Sequence, residues 1–172
     1  MFVSMSSMKF AALEDTALGA VCFDPVIPKI RGKSLAVKEQ VYEGLTPGQQ
    51  ALFMFNAYYN HASKSLPEFY WWSAYYLAQP KAWSAIKASL NVFGAETMLH
   101  LLDSIEELLD PERFPRSLDR FAAAYNDLDG NPALLAAMEP LYDKFNEASP
   151  AALKAIGGYI RNHSEQFIRF EE

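Results

Sequence analysis

Between residues 95 and 109 the apolar positions recur as Met98, Leu101, Leu102, Ile105, Leu108 and Leu109, at spacings of three and four. That rhythm marks one face of an α-helix, and Asp110-Pro111 closes it. The preceding stretch, 81–93, has the same character. Ala82, Ile86, Leu90 and Phe93 share one side, Ser84, Lys87 and Asn91 another, and Gly94 supplies the expected C-terminal stop. Further upstream, Thr46-Pro47-Gly48-Gln49 has the form of a capping box with proline at the first helical position. Ser65-Leu66-Pro67-Glu68 predicts a second helix start. The helix it opens carries Phe69, Tyr70, Trp71, Trp72, Tyr75 and Tyr76 nearly all round its circumference, as expected for an element buried in the middle of a bundle.

The remaining elements are weaker. One helix is expected around Lys9 to Leu18, and a short one over Leu35, Val37, Lys38, Val41 and Tyr42, capped by Ser34 and ended by Gly44. Residues 21–33 contain Pro25 and Pro28, which bias the residues before them to extended geometry. This stretch reads as an arm lying on the bundle or exchanged within a dimer. Met5 and Met8 are alternative starts, so the first residues are expected to be loosely held. After Pro111–Pro115, a helix is expected over 117–127 with Leu118, Phe121, Ala122 and Tyr125 inward. Two more follow at 132–147 and 150–162, the latter capped by Ser149, and a last turn is anchored by Phe167 and Phe170. No strand alternation and no internal repeat is evident. The expected architecture is an all-α, single-domain multi-helix bundle over 34–172, with an irregular proline-containing N-terminal extension over 1–33.

Composition narrows the function classes. The chain has 172 residues, 51% of them apolar and 21% charged, enough for one globular core. Its formal net charge of −6 sets it against phosphate backbones and anionic membranes, so direct nucleic-acid binding is not expected and a basic protein partner is. A single cysteine, Cys22, rules out an internal disulfide and fits a reducing cytoplasm. No apolar run approaches the ~20 residues needed to cross a bilayer. The N-terminus lacks a basic region ahead of its apolar patch, so no signal peptide is expected.

Candidate chemistry is sparse. His61, His100 and His163 fall on separate elements. His100 and Asp103 share a helix face, but one such pair does not make a metal site, and the two Glu-x-x-His motifs of a di-iron bundle are missing. The run Asp127–Pro132 lacks the spacing and terminal Glu of a calcium loop. There is no nucleophile elbow and no phosphate loop. No cofactor, metal or catalytic residue is assigned.

Two features remain. Asp103, Glu106, Glu107 and Asp110 form an acidic stripe opposite the Leu/Ile face of their helix, extended by Glu112. No Lys or Arg falls between Lys87 and Arg113, so nothing nearby in sequence neutralises it. It reads either as a ridge that meets a basic partner or as a solvated helix face. The aromatic run, with Tyr58, Tyr59, Trp71 and Trp72, reads either as a pocket for a flat apolar ligand or as ring-filled core.

Several short motifs carry a family resemblance. Leu45-Thr46-Pro47-Gly48-Gln49-Gln50-Ala51-Leu52, then Leu66-Pro67-Glu68-Phe69-Tyr70-Trp71-Trp72, then Phe93-Gly94-Ala95 leading to Leu101-Leu102, resemble the helical domain of the bacterial DNA-mimic-protein family. Leu141-Tyr142-Asp143-Lys144-Phe145 and Tyr159-Ile160-Arg161-Asn162-His163 with Phe167 are similar to its closing pattern. The resemblance spans roughly residues 34–168. It implies an all-helical, often dimeric domain without a known catalytic site; in the named member an acidic surface imitates duplex DNA and occupies a DNA-binding protein. Two departures stand out. His61–Pro67 replaces an Asn-Gly-Gly-Phe-like loop, and the net charge is modest for a DNA mimic.

Overall fold

The computed structural model describes residues 1–109 and 114–171. A short strand, β1 (Val3–Met5), opens the chain, followed by α1 (Ser7–Ala12), α2 (Asp15–Phe23), α3 (Ile27–Ile30), α4 (Leu35–Glu43) and α5 (Pro47–Ala62). Then come α6 (Leu66–Leu77), α7 (Pro80–Phe93), α8 (Glu96–Leu108), α9 (Asp127–Gly130), α10 (Pro132–Asn162) and a second strand, β2 (Ile168–Phe170). The architecture is all-α, with the two strands as its only sheet among the described residues.

The strongest local signals produce the helices they predict. Thr46 Oγ1 accepts from the Gln49 backbone N–H at 3.3 Å, and Gln49 Oε1 accepts from that of Thr46 at 3.2 Å, so two otherwise orphaned donors are satisfied at the start of α5. Ser65 Oγ accepts from the Glu68 N–H at 3.3 Å to open α6. Gly94 ends α7 in the left-handed region, φ 68°, where a Cβ would be strained.

The central layer is α5, α6, α7 and α10. Tyr58, Phe69 and Phe145 meet there, all buried, with Tyr58 edge-on to Tyr76, Trp83 and Phe145. Ser73 Oγ donates to the Phe69 carbonyl at 2.6 Å, so the Tyr58 hydroxyl donates to Ser73 Oγ at 2.7 Å. The buried phenol is thereby satisfied, as burial requires.

Several expectations change. The predicted helix over 117–127 does not form. A 3-10 turn at Leu118–Arg120 leads into irregular chain, and Leu118 and Tyr125 are exposed rather than inward. The cause is one tertiary contact and one local one. Trp71 Nε1 donates to the Ala123 carbonyl at 3.0 Å, and Asp127 Oδ2 accepts from the Ala124 N–H at 2.8 Å, so side chains take backbone groups a helix ladder would use.

Conversely, the two helices expected at 132–147 and 150–162 are one, α10, with Pro140 and Pro150 inside it. Both prolines lie on the exposed side, where a carbonyl that loses its partner can turn to water. Phe145, Ala148, Ala152 and Ile156 bury a continuous stripe across the second proline. Ser149, expected as a cap, instead donates to the Phe145 carbonyl at 2.7 Å.

At the N-terminus, α2 continues through Val21, Cys22 and Phe23, where no helix is expected. It runs against α10 and reaches α5, and Leu18, Cys22, Phe23 and Val26 join the same core as the later helices. Arg161 of α10 ties the turn before α2. Its Nε donates to Asp15 Oδ1 at 2.5 Å, its other nitrogens donate to the Phe10 and Leu13 carbonyls, and its guanidinium covers the Phe10 ring. The first residues are held too, since β1 pairs in parallel with β2, Val3 opposite Ile168 and Met5 opposite Phe170. Three-residue strands are too short to show an alternation.

Candidate functional site

The acidic stripe sits on α8, which pairs with α7 through the turn at Gly94. That pairing corrects the expectation of an unneutralised stripe. Lys87 of α7 lies across the helix pair, its Nζ 2.7 Å from Asp103 Oδ1 and 2.9 Å from Glu106 Oε2. Trp83 Nε1 also donates to Glu106 Oε2 at 2.9 Å. Partial burial alone would raise the Glu106 pKa, but the hydrogen bonds from Lys87 and Trp83 and the nearby positive charges hold it below the usual carboxylate range. For Lys87 burial works in the lowering direction, and the two carboxylates overcome it and raise its pKa. Glu107 is exposed, and Asp103 is half-exposed at its rim. Asp110 and Glu112 lie outside the described residues.

The structure adds acids that the stripe alone did not include. A groove of about 370 Å³ runs between α8 and α10, lined by Thr97, His100 and Ser104 on one bank and Lys144, Glu147 and Ala151 on the other. Glu139, Asp143 and Glu147 recur every four residues along α10 and are all exposed, so they share a face. On α8, Glu107 follows Ser104 by three positions and so continues the opposite bank. The four-residue spacing of the α10 acids is visible in the sequence. That they line up beside α8 is not, because it depends on how the helices pack.

The four aromatic residues named as a pocket do not share one cavity. Tyr58 is core. Tyr59 stacks on Phe55 at 4.9 Å. Trp72 packs under His61, rings 3.9 Å apart, and donates to Glu68 Oε2 at 2.7 Å. Burial first, and then the positive charge of Lys64, lower the His61 pKa. Trp71 stands between Tyr75 and Tyr125, stacked on each at 5.0 Å. The larger opening, about 520 Å³, lies beside this array, between α6 and the 114–134 segment.

Neither metal chemistry nor a reactive thiol gathers support from the geometry. Asp103, the partner considered for His100, turns to Lys87, and among the described residues no group of three or more His, Cys, Asp and Glu comes together to hold a metal ion. Cys22 is buried, and burial pushes its thiol up to about 12, so the nucleophilic thiolate is scarce at neutral pH. Among the described residues no helix is long and apolar enough to cross a membrane.

No protein-family model matches the chain, and neither the curated proteins nor the solved structures contain a match. The resemblance of residues 34–168 to the DNA-mimic-protein family therefore rests on the motifs quoted above.

Proposed function

We propose that this chain is a non-catalytic, cytoplasmic interaction module that receives a basic protein surface on the acidic face formed by α8 and α10. The observation that carries the reading is the set of exposed acids on two packed helices: Glu107 on α8, and Glu139, Asp143 and Glu147 on α10, of which Glu147 lines the groove between them beside Lys144. Asp103 and Glu106 are partly committed to Lys87, so the exposed Glu107 and the α10 acids carry most of the attraction. Each exposed ion pair contributes only about 0.2–1 kcal/mol. Capture therefore requires several pairs acting together, and it weakens as salt rises, because screening shortens the reach of exposed charges to about 10 Å at 0.1 M. Within the proposal, a DNA-binding protein is the partner class that the family resemblance suggests, since such proteins present basic surfaces shaped for phosphate rows.

The test is capture from native lysate by the full chain and by a Glu107→Lys/Glu147→Lys double variant, at low and high salt. A basic partner held by the wild type at low salt and lost from the double variant supports the reading. Equal capture by both, with both folded by circular dichroism, overturns it.

A further inference from the structure

The cleft between α6 and residues 114–134 is built differently from the acidic groove. Its floor is apolar and aromatic, made by Tyr70, Ala74, Phe114, Phe121 and Leu134. Its volume of about 520 Å³ is within the range of small-molecule sites. Four residues with polar side chains line it: Arg120, Asn126, Asp127 and Asn131.

The hydrogen-bond inventory decides what these groups have left to offer. Asp127 Oδ2 accepts from the Tyr70 hydroxyl at 2.7 Å and from the Ala124 N–H at 2.8 Å, which fixes the carboxylate and the wall around it. Asn131 spends its Oδ1 on capping α10, accepting from the Leu134 N–H at 3.1 Å, so its NH2 donors remain uncommitted. Arg120 is exposed; its backbone N–H donates to the Ser117 carbonyl at 3.3 Å, and its guanidinium makes no ion pair with any described residue. The cleft thus combines an aromatic floor with surplus donors, among them a guanidinium whose fork matches a carboxylate bidentately.

We infer that this cleft binds a small planar ligand that carries a carboxylate, with the aromatic or apolar body against Phe114 and Phe121 and the carboxylate on Arg120 and the Asn131 amide. The site is independent of the acidic face, because it uses none of the residues on α8 or its facing stretch of α10 that form that face. Asp127, tied to Tyr70 and Ala124 through Oδ2, acts as a strut for the wall rather than as the anion site.

The test is calorimetric titration of the full chain with phenylacetate, phenethylamine and phenylalanine. These probes share a ring and differ in which charges they carry. Saturable binding of phenylacetate, reduced at least about tenfold by Arg120→Gln, is expected, since loss of a charge-assisted hydrogen bond has roughly that effect. The Arg120 guanidinium has no ion-pair partner among the described residues, so the variant should melt like the wild type. Phenylalanine binding as well as phenylacetate supports the carboxylate assignment. Phenethylamine binding more tightly than phenylacetate, no saturation by any probe up to 10 mM, or an Arg120→Gln variant that binds phenylacetate undiminished, each overturns it.

Discussion

Replacing Gly157 with alanine tests how the N-terminal helices are seated. A Cβ at Gly157 would lie 2.1 Å from the Asp15 carbonyl oxygen and 2.6 Å from its carbonyl carbon and Cα. Ordinary contact is roughly 3.5–4.0 Å, so α2 and α10 would have to separate by more than about 1 Å. The three nearest atoms are all backbone, so no rotamer change relieves the clash. Overpacking typically costs about 1–3 kcal/mol, and the upper end applies here because separation also draws Asp15 away from Arg161, 2.5 Å apart in the native fold. In a chain of this size each kcal/mol moves the melting temperature by about 2–4 °C, so Gly157→Ala should melt roughly 6–12 °C below the wild type. The adjacent residue supplies the control. Gly158 has nothing within 4 Å of its Cβ position, so alanine there should remove only the entropic penalty of glycine in a helix, about 0.5–1 kcal/mol, and raise the melting temperature by about 1–4 °C. Thermal denaturation followed by circular dichroism reads both. A Gly157→Ala variant that melts at or above the wild type would refute the close helix contact.

Two further outcomes follow from the charge and thiol environments. Lys87→Met should cost up to about 1 kcal/mol at pH 7, because Lys87, Asp103 and Glu106 are 28%, 45% and 39% exposed and screening limits such pairs. The Glu106 pKa is lowered in the fold, so its stabilisation is present above the ordinary value of 4.5 and is lost as pH falls through the lowered folded value; the gap between variant and wild type should close in acid, and a gap unchanged from pH 7 to pH 3 in denaturant titrations contradicts the pairing. Cys22, buried with its pKa raised to about 12, should resist a thiol reagent at pH 8 until the chain unfolds, with labelling that tracks denaturant; prompt stoichiometric labelling of the native protein would show an open thiol.

What the sequence reveals divides along the range of the forces involved. The capping box at Thr46 and Gln49, the stop at Gly94 and the Leu/Ile stripe of α8 are local, and each produces the element it predicts. The missing helix at 117–127 has one long-range cause and one local one: Trp71 reaches in from α6 to take the Ala123 carbonyl, and Asp127, inside the segment, takes the Ala124 N–H. Pro140 and Pro150 mislead for the opposite reason, because their outward placement lets packing on the far side carry α10 through. The candidate site follows the same rule. The acids of α8 were legible as a stripe, but Lys87 reaches Asp103 and Glu106 from another helix, 16 and 19 positions away. The groove partners Lys144 and Glu147 come from α10, farther along still. The aromatic residues look alike in one dimension and are sorted by packing into core, for Tyr58, and a half-exposed stack, for Trp71 with Tyr75 and Tyr125.

The central claim, that the α8–α10 face captures a basic partner, is tested most directly by the salt-stepped capture comparing wild type with Glu107→Lys/Glu147→Lys. The account predicts a basic protein retained by the wild type at low salt, released as salt rises, and not retained by the folded double variant. A partner held equally by both proteins, or held by the wild type without regard to salt, would contradict it.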